Sequence, residues 1–200
     1  MRGELYMIFD YYDYMDYIKA AVGIKYKDGT IRVITVYEKG YPGFTGALLL
    51  AKYQKQEKIE QLLELGDIER LGEELNPNSN FPHYIIIEGD KTKKELQERV
   101  TVAQYRDIRI NVDGILTKQK KQEYEEYSSE KDIYNETGVK YVYIFNSSTK
   151  CWKTYSLDFK VKKFKSIKIK YRGLINNLVD GEEIEDLTKE EKQYLARFNY

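Results

Sequence analysis

The alternation of apolar and polar positions predicts two antiparallel hairpins. Residues 20–27 and 30–37 alternate on either side of Asp28-Gly29, a strong signal for a short turn of the type I′ kind. Residues 140–146 and 151–157 form the second pair, joined by the polar turn Asn-Ser-Ser-Thr-Lys. The chain is therefore expected to contain a β-sheet to which both hairpins contribute strands.

Apolar positions spaced three and four residues apart predict helices after the first hairpin. One helix is expected over 47–53, and a further short helical piece over 68–75. Between them, residues 56–65 are predicted to form a helix that ends with the C-cap chemistry of Gly66-Asp67. The buried face of this helix is predicted to consist of Ile59, Leu62 and Leu63.

The middle of the chain mixes predicted strands with polar stretches. Residues 84–88 and 99–110 are expected to be strands, whereas 91–98 is either a short helix or a charged connection. Residues 76–83 are a predicted loop. Residues 118–132 are polar nearly throughout, which is typical of a solvated helix or a mobile segment.

Charge changes sign in the last part of the chain. Residues 150–172 carry nine basic side chains and one acidic one, and apolar and basic residues alternate within 159–172, which predicts a basic strand. Such a strand is either a track for RNA, DNA or an acidic partner, or a sheet edge protected by lysines. Seven acids follow in 180–191, a segment able to fold back on the basic strand, and a capping box predicts a last helix over 188–198.

The order of these elements predicts an α+β fold rather than the regular βαβ alternation of a parallel sheet. We expect an N-terminal β-hairpin, two or three helices, and a largely antiparallel sheet with a C-terminal strand and helix. Three regions follow from composition: a Tyr-rich acidic extension at 1–19, a core at 20–157, and the basic strand with the acidic helix at 158–200, packed on the core.

Composition narrows the function without identifying it. The 200 residues carry 33 Lys and Arg against 33 Asp and Glu, so the net charge is zero, which argues against a basic nucleic-acid coat protein. The 20 tyrosines argue against a fully disordered chain. No run of about 18 apolar residues predicts a membrane span, and the acidic, aromatic start does not favour a secretion signal. We therefore expect a cytoplasmic protein.

Few side chains suit catalysis or metal binding. The single cysteine, Cys151, excludes an intramolecular disulfide and is expected to be buried beside Trp152, and the single histidine, His83, lies in a predicted loop. Three aspartates would share one face of a helix, where they either bind a divalent cation or form a solvated acidic face: Asp10, Asp13 and Asp16. No catalytic residue, metal site or cofactor is predicted.

Residues 40–46 are the strongest candidate for ligand binding. Three glycines and a proline within seven residues force a tight turn immediately before a predicted helix. Amide groups at the start of a helix bind anions, and glycines let a phosphate approach closely. The spacing is neither that of a P-loop nor that of a dinucleotide fingerprint, so the segment is either a structural turn or a phosphate cradle.

Several motifs occur in a fixed order within residues 20–157. They comprise the Asp-Gly hairpin, Gly40-Tyr41-Pro42, Gly46, Leu49-Leu50, Tyr53, Leu65-Gly66-Asp67-Ile68, 102–109 (VAQYRDIR), 143–145 and 152–155. This order resembles a family of small uncharacterised proteins of tailed phages and their hosts, with the pattern HWDGYPxxxGxxLLxxY, ALGDLSSL and VAYxRDRGE and a closing hairpin. Where that family has His-Trp-Asp, this chain has Tyr37, Glu38 and Lys39, so the acidic position is basic here.

The resemblance implies a phage or mobile-element protein in the host-cell cytoplasm, and small proteins of this kind often counter host defence. We therefore expect a non-enzymatic anti-defence binding protein that sequesters a nucleotide-derived immune signal. The expected ligand-binding residues are Lys39, Gly40, Tyr41, Pro42, Gly43, Thr45, Gly46, Tyr105 and Arg106.

Two other functions stay open. The acidic, Tyr-rich start and the bipolar end favour a protein-directed inhibitor of a CRISPR nuclease or another host defence complex, because acidic surfaces occupy nucleic-acid channels. A metal-dependent phosphoesterase is the least favoured. The expected partner is thus a small nucleotide-type ligand or a host defence protein. Direct nucleic-acid binding is not favoured, and the many tyrosines suit a homodimer interface.

Overall fold

We describe the fold from a computed structural model of the chain. The acidic extension up to Asp16, the histidine His83 and the helix predicted over 188–198 lie outside the described residues, so those predictions stay predictions. The described residues are 17–77, 84–88, 91–95, 99–112, 114–118, 123–158, 163–167, 169–175 and 178–183.

The described residues form four α-helices, one π-helical turn and fourteen β-strands, which confirms the predicted α+β class. The helices are α1 (Ala47–Lys52), α2 (Gln56–Leu63), α3 (Gln104–Asp107) and α4 (Glu130–Thr137), and the π-helical turn is Pro42–Gly46. The strands are β1 (Ala20–Lys25), β2 (Ile31–Val36), β3 (Ile68–Arg70), β4 (Tyr84–Glu88), β5 (Lys91–Glu95), β6 (Val102–Ala103), β7 (Ile108–Val112), β8 (Ile115–Lys118), β9 (Glu125–Tyr127), β10 (Tyr141–Asn146), β11 (Cys151–Asp158), β12 (Lys163–Ile167), β13 (Ile169–Ile175) and β14 (Leu178–Glu183).

A central sheet of eight strands organises the molecule. Its order is β12-β11-β10-β1-β2-β3-β6, and β9 pairs with β2 beside this path. Most neighbouring strands are antiparallel, as predicted, but β1 runs parallel to β10, and β2 runs parallel to β3. The other strands form a four-stranded sheet of order β5-β4-β7-β8 and the two-stranded pair of β13 and β14.

Both faces of the central sheet are buried, so its central strands are apolar at nearly every position. One face packs against α1 and α2 and includes Val22 and Phe145; the opposite face packs against Ile133 of α4 and includes Ile31 and Tyr127. The predicted face of α2 is confirmed as part of the first core, with all three side chains buried: Ile59, Leu62 and Leu63.

The predicted hairpin of β1 and β2 is confirmed, but its turn is not of type I′. That type requires positive φ at both central residues. Here Gly29 has φ +95° and Asp28 does not lie in the left-handed region. The Asp28 carboxylate instead accepts the amide N–H of Thr30 at 3.0 Å, and the amide of Tyr26 donates to the Thr30 carbonyl at 2.8 Å. The side chain thus stabilises a longer loop than the sequence predicts.

Residues 68–75 are not helical, so that prediction is wrong. Ile68–Arg70 is a strand, because the amides of Tyr37 and Glu38 donate to the carbonyl oxygens of Ile68 and Glu69 at 3.0 and 2.7 Å. This pairing with the chain that follows β2 overrides the weak local preference for a helix.

Three predictions for the middle of the chain also need correction. The strand predicted over 99–110 is interrupted by helix α3, whose Asp107 side chain accepts the amide of Ala103 at 2.7 Å. The segment 91–98 begins as strand β5, not as a helix or connection. Residues 118–132 include strand β9 and the start of α4, not one solvated helix or mobile segment, because β9 pairs with β2 and contributes a buried tyrosine to the second core.

The predicted basic strand over 159–172 corresponds to parts of two strands. β12 pairs with β11 and extends the central sheet, whereas β13 pairs with β14. In that register Ile169 is opposite Glu183 and Lys170 is opposite Glu182, so the start of the acidic segment folds back on the basic one. The β13–β14 hairpin lies against the turn Pro42–Gly46 and against α1.

Candidate functional site

The predicted phosphate segment is tightly packed in the structure. The Gly40 amide donates to the Ile18 carbonyl at 2.7 Å, and the Gly40 carbonyl accepts the Tyr143 hydroxyl at 2.9 Å. A Cβ atom at this position would lie 2.6 Å from the Ile18 carbonyl oxygen and 2.7 Å from the Ala20 nitrogen. Gly40 is therefore explained by a close approach of two backbone segments.

The rest of this segment also contacts the protein itself. Thr45 is fully buried, and its hydroxyl donates to the Lys39 carbonyl at 2.8 Å. The Lys39 ammonium lies 5.3 Å from the centre of the Phe44 ring, which in turn lies 6.3 Å from the ring of Tyr41. Three further predicted site residues are buried in the π-helical turn: Pro42, Gly43 and Gly46. Strand β14, of sequence LVDGEE, lies against this turn.

The two predicted residues in α3 differ from each other. Tyr105 is 38% exposed, whereas Arg106 is engaged in a local network. Its guanidinium donates to the Leu75 carbonyl at 2.9 Å and the Thr101 carbonyl at 2.6 Å, and it contacts the Asp107 carboxylate at 2.7 and 2.8 Å. Among the described residues, Arg106 makes no hydrogen bond to residues 39–46, so the structure does not join the two halves of the predicted pocket through this side chain.

A different place in the fold has the geometry of a ligand site. Strands β1 and β10 are parallel neighbours at the centre of the sheet, and the chain leaves them in opposite directions, towards β2 and towards β11. In open α/β sheets, ligands bind outside the carboxyl ends of parallel strands whose connections leave in opposite directions. The turns after β1 and β10 line a cleft of about 860 Å³ there.

We call this space the strand-end cleft. Its volume is within the range of small-molecule sites. Its walls come from the β1–β2 turn, strands β2 and β9, the start of α2 and the β10–β11 turn. The lining residues are Tyr26, Lys27, Asp28, Thr30, Arg32, Gln56, Glu126, Ser147, Ser148 and Lys150.

Arg32 is held in a fixed position inside the cleft. Its guanidinium carbon lies 5.2 Å from the centre of the Tyr26 ring and 4.6 Å from that of Tyr124, so two aromatic faces contact the cation. Its Nε donates to the Glu126 carboxylate at 2.8 Å. The two ring contacts do not involve Glu126, so Arg32 is positioned by more than its ion pair.

Two lysines and a helix start add positive potential. Lys150 Nζ donates to the Gln56 side-chain oxygen at 2.6 Å, and Gln56 is the first residue of α2. No side chain caps this helix at Lys55, and the first amides of a helix lack partners within the helix. Lys27 is exposed and makes no ion pair with any described residue. Together with Arg32, the two cleft lysines outnumber the acids Asp28 and Glu126.

The wall of the cleft also contains a buried hydroxyl without a partner. Ser147 is 5% exposed, and its Oγ has no hydrogen-bond partner among the described residues. Its amide is satisfied by the Lys25 carbonyl at 3.0 Å, so the unused group is the side chain. A buried polar group of this kind costs free energy unless a ligand or water binds it.

The cleft residues were not predicted from the sequence. They come from four segments that are far apart in the chain, and each segment reads locally as an ordinary turn or charged strand. The only local signal in these segments is the Asp-Gly motif, and it predicts a turn rather than a ligand site. The combination of Tyr26, Arg32 and Lys150 becomes visible only when β1 and β10 are known to be neighbours.

A second polar cluster, on Asp67, lies beside the sheet edge. The Asp67 carboxylate accepts the amide of Thr35 at 2.8 Å and the hydroxyl of Tyr37 at 3.3 Å. Burial raises the pKa of this carboxyl; the two hydrogen bonds offset part of that rise, and the nearby Glu125 adds to it.

The described residues contain no group of three or more His, Cys, Asp or Glu side chains arranged to hold a metal ion.

Replacing Asp67 by asparagine is expected to stabilise the protein above about pH 4. The pKa of the Asp67 carboxyl is higher in the folded state than in the unfolded state. As the pH rises, the unfolded chain therefore loses this proton first, and the wild type loses stability between the two pKa values. The melting temperatures of wild type and D67N should coincide at low pH and diverge towards neutral pH. Asp132 is the control of opposite sign, because hydrogen bonds from Ser129 and Ser128 lower the pKa of its carboxyl. A D132N variant should lose stability at neutral pH only, and a D67N difference that is constant with pH would contradict the assignment.

Two simpler expectations are settled by the described residues. Cys151 is exposed, contrary to the prediction, because it begins β11 beside a turn while the alternate side chain, Trp152, packs on Phe145 and donates to the Tyr53 carbonyl at 2.8 Å. The longest helices in the described chain have eight residues, and none has the length and apolar character needed to cross a bilayer.

Comparison with known proteins does not assign the chain to a family. No protein-family model matches the chain, and no curated protein and no solved structure shows a significant match to it.

Proposed function

We propose that this protein binds a small nucleotide-type ligand in the strand-end cleft. The observation that carries the proposal is that three cations, an aromatic ring and a buried hydroxyl without a hydrogen-bond partner among the described residues line one cleft beside the ends of β1 and β10. Cations, hydroxyls and helix amides are the groups that bind phosphate oxygens, and a tyrosine face stacks with a planar base.

Each part of the cleft has a distinct task in this proposal. Lys27, Lys150 and the first amides of α2 bind phosphate oxygens, and Ser147 donates its hydroxyl to one of them. Arg32 binds a second anionic group in exchange for Glu126, because guanidinium pairs with phosphate in a bidentate geometry. The Tyr26 ring contacts the base or another planar part of the ligand.

The cellular role that we propose is sequestration. A protein that holds a nucleotide-derived signal of host defence lowers its free concentration without any chemical step. This role rests on the resemblance to tailed-phage proteins, whereas the binding proposal rests on the cleft alone. The two are therefore testable separately.

Titration calorimetry of the full chain with ADP, ADP-ribose, cyclic AMP and inorganic pyrophosphate tests the binding proposal. We expect at least one nucleotide to bind, with affinity falling about ten-fold, or about 1.4 kcal/mol, in Lys150→Gln. Tyr26→Leu should weaken nucleotides more than pyrophosphate, because both ligands lose the ring contact that helps to position Arg32, whereas only nucleotides also lose the contact with the base.

The matched control is Lys131→Gln, which removes an exposed lysine from α4 that does not line the cleft. Its affinity should equal that of the wild type. Equal losses of affinity in K131Q and K150Q would mean that K150Q acts only through non-specific charge. The absence of binding heat with all four compounds would overturn the proposal for these ligands. Thermal shifts provide a second readout, since a ligand that binds only the folded state raises the melting temperature.

A further inference from the structure

The tip of the β7–β8 hairpin exposes apolar side chains on both of its faces. Val112 and Ile115 are paired across the hairpin and are 55% and 65% exposed. Leu116, which follows on the opposite face and is paired with Asn111, is 50% exposed. Among the described residues, these three are some of the most exposed large apolar side chains, and they lie together on one pair of strands.

The strand that carries two of them is an unpaired edge. The four-stranded sheet has the order β5-β4-β7-β8, so β8 and β5 are its two edges within the described residues. Edge strands are normally protected from further pairing by charged side chains, lysine above all. β5 has the sequence KTKKE and meets that rule, whereas β8 has the sequence ILTK, with a single charge at its end. This difference in charge indicates that β5 is protected from further strand pairing and that β8 pairs with a partner.

We infer that β8 pairs with β8 of a second copy of this chain, antiparallel and across a two-fold axis. The pairing would join two four-stranded sheets into one sheet of eight strands, with the lysine-rich β5 at both outer edges. A two-fold interface uses the same patch on both subunits, as a single exposed edge requires. Backbone hydrogen bonds would provide affinity, and in an antiparallel register centred on Leu116 the Leu116 side chains of the two copies would lie beside each other.

The charge pattern of β8 suits pairing with itself. In a register centred on Leu116, Ile115 is opposite Thr117 of the second copy, and Lys118 is opposite Gly114. In the adjacent register Lys118 is opposite Ile115. Neither arrangement opposes like charges, which destabilise strand pairs. For β5 the comparable central registers oppose lysine to lysine, so the same reasoning excludes that edge.

Among the described strands, only β7 pairs with β8. The next described stretch after Lys118 leads into β9, which pairs with β2 in the central sheet. A second copy of this chain presents an edge of identical sequence, which is what a two-fold pairing requires.

Analytical ultracentrifugation of the full chain tests the inference. We expect a concentration-dependent dimer that Leu116→Lys and Ile115→Lys each convert to a monomer, with unchanged circular dichroism because both side chains are solvent-exposed in the single chain. The matched control is Thr92→Lys, which adds the same charge to β5, the opposite edge, and should leave the dimer intact.

A cross-link identifies the interface itself. In a Cys151→Ser background, Leu116→Cys should form a disulfide-linked dimer on mild oxidation, because a register centred on residue 116 brings the two cysteines together across the axis. Introducing Thr92→Cys in the same background should give none. A wild-type monomer at all concentrations, or a dimer that survives L116K and I115K, would overturn the inference. Neither outcome bears on the strand-end cleft, which belongs to another sheet.

Discussion

Asp107→Ala is expected to lower the free energy of unfolding by about 3–5 kcal/mol, although the residue lies in a helix of only four residues. The side chain is 2% exposed, and its carboxylate accepts the Ala103 amide at 2.7 Å. The same carboxylate receives Arg106 through Nε at 2.7 Å and Nη2 at 2.8 Å. Alanine would leave the buried Ala103 amide without an acceptor and the Arg106 guanidinium without its carboxylate partner. Leaving these groups unpaired costs more free energy than the intact ion pair contributes to stability.

Urea unfolding of wild type and variants measures this loss. Asp107→Asn is the matched control, because it keeps an acceptor for the Ala103 amide and removes only the charge, so its loss should be smaller. An Arg106→Ala variant should be destabilised as well, since the carbonyls of Leu75 and Thr101 lose their donor. A D107A variant with nearly wild-type stability would contradict this account of the network, and a stable R106A that binds nucleotides poorly would restore Arg106 to the ligand site.

The parts of the fold that the sequence predicts correctly are those determined by neighbouring residues. Both hairpins form where they are predicted, although the β1–β2 loop is longer than the sequence indicates, and α2 buries the predicted side chains Ile59, Leu62 and Leu63. Errors begin where pairing is distant. Residues 68–70 look helical in isolation, but the backbone of Tyr37 and Glu38 draws them into the sheet. Local propensity differs by less than 1 kcal/mol per residue for ordinary side chains, so two well-placed backbone hydrogen bonds are enough to reverse it.

The candidate site could not be predicted for a related reason. Glycine-rich segments before helices have a known use in phosphate binding, so residues 40–46 stood out. The structure gives the first of these glycines another cause, because Gly40 lies against the backbone of Ile18 and Ala20. The strand-end cleft depends on a parallel pairing of β1 with β10, which are more than a hundred residues apart, and nothing local to Tyr26 or Lys150 reports it.

The charge balance of the chain looks different once the sheet is known. The net charge of zero conceals a strand pair in which an acidic segment lies opposite a basic one, with Lys170 opposite Glu182. Lys163 is likewise opposite Asp158 in the β11–β12 pair, so lysines of both strands lie opposite acids of the same chain, which weakens the interpretation of the basic segment as a track for RNA or DNA. The cations of the strand-end cleft are not part of that pairing, so they are the better candidates for an anionic ligand.

Gly72→Ala is the second change with a large expected effect, a loss of about 3 kcal/mol or more. A Cβ atom there would lie 2.4 Å from the Val100 carbonyl carbon, 2.5 Å from the Arg99 carbonyl oxygen and 2.5 Å from the Thr101 nitrogen. All three atoms are backbone, so no side chain can rotate away. The crossing is also fixed by hydrogen bonds, because the Gly72 amide donates to the Thr101 hydroxyl at 3.0 Å and its carbonyl accepts the Tyr53 hydroxyl at 2.6 Å.

The control for Gly72→Ala is Gly29→Ala, which separates crowding from backbone strain. Gly29 has φ +95° but nothing within 4 Å of an added Cβ, so its variant should lose only the strain of that conformation, about 1 kcal/mol. Gly72 does not lie in the left-handed region, so its loss would come from crowding alone. Chemical unfolding of both variants gives the comparison. Equal losses at the two positions would mean that the chain crossing at Gly72 relaxes, and that the packing of residues 71–75 on 99–101 is looser than the contacts indicate.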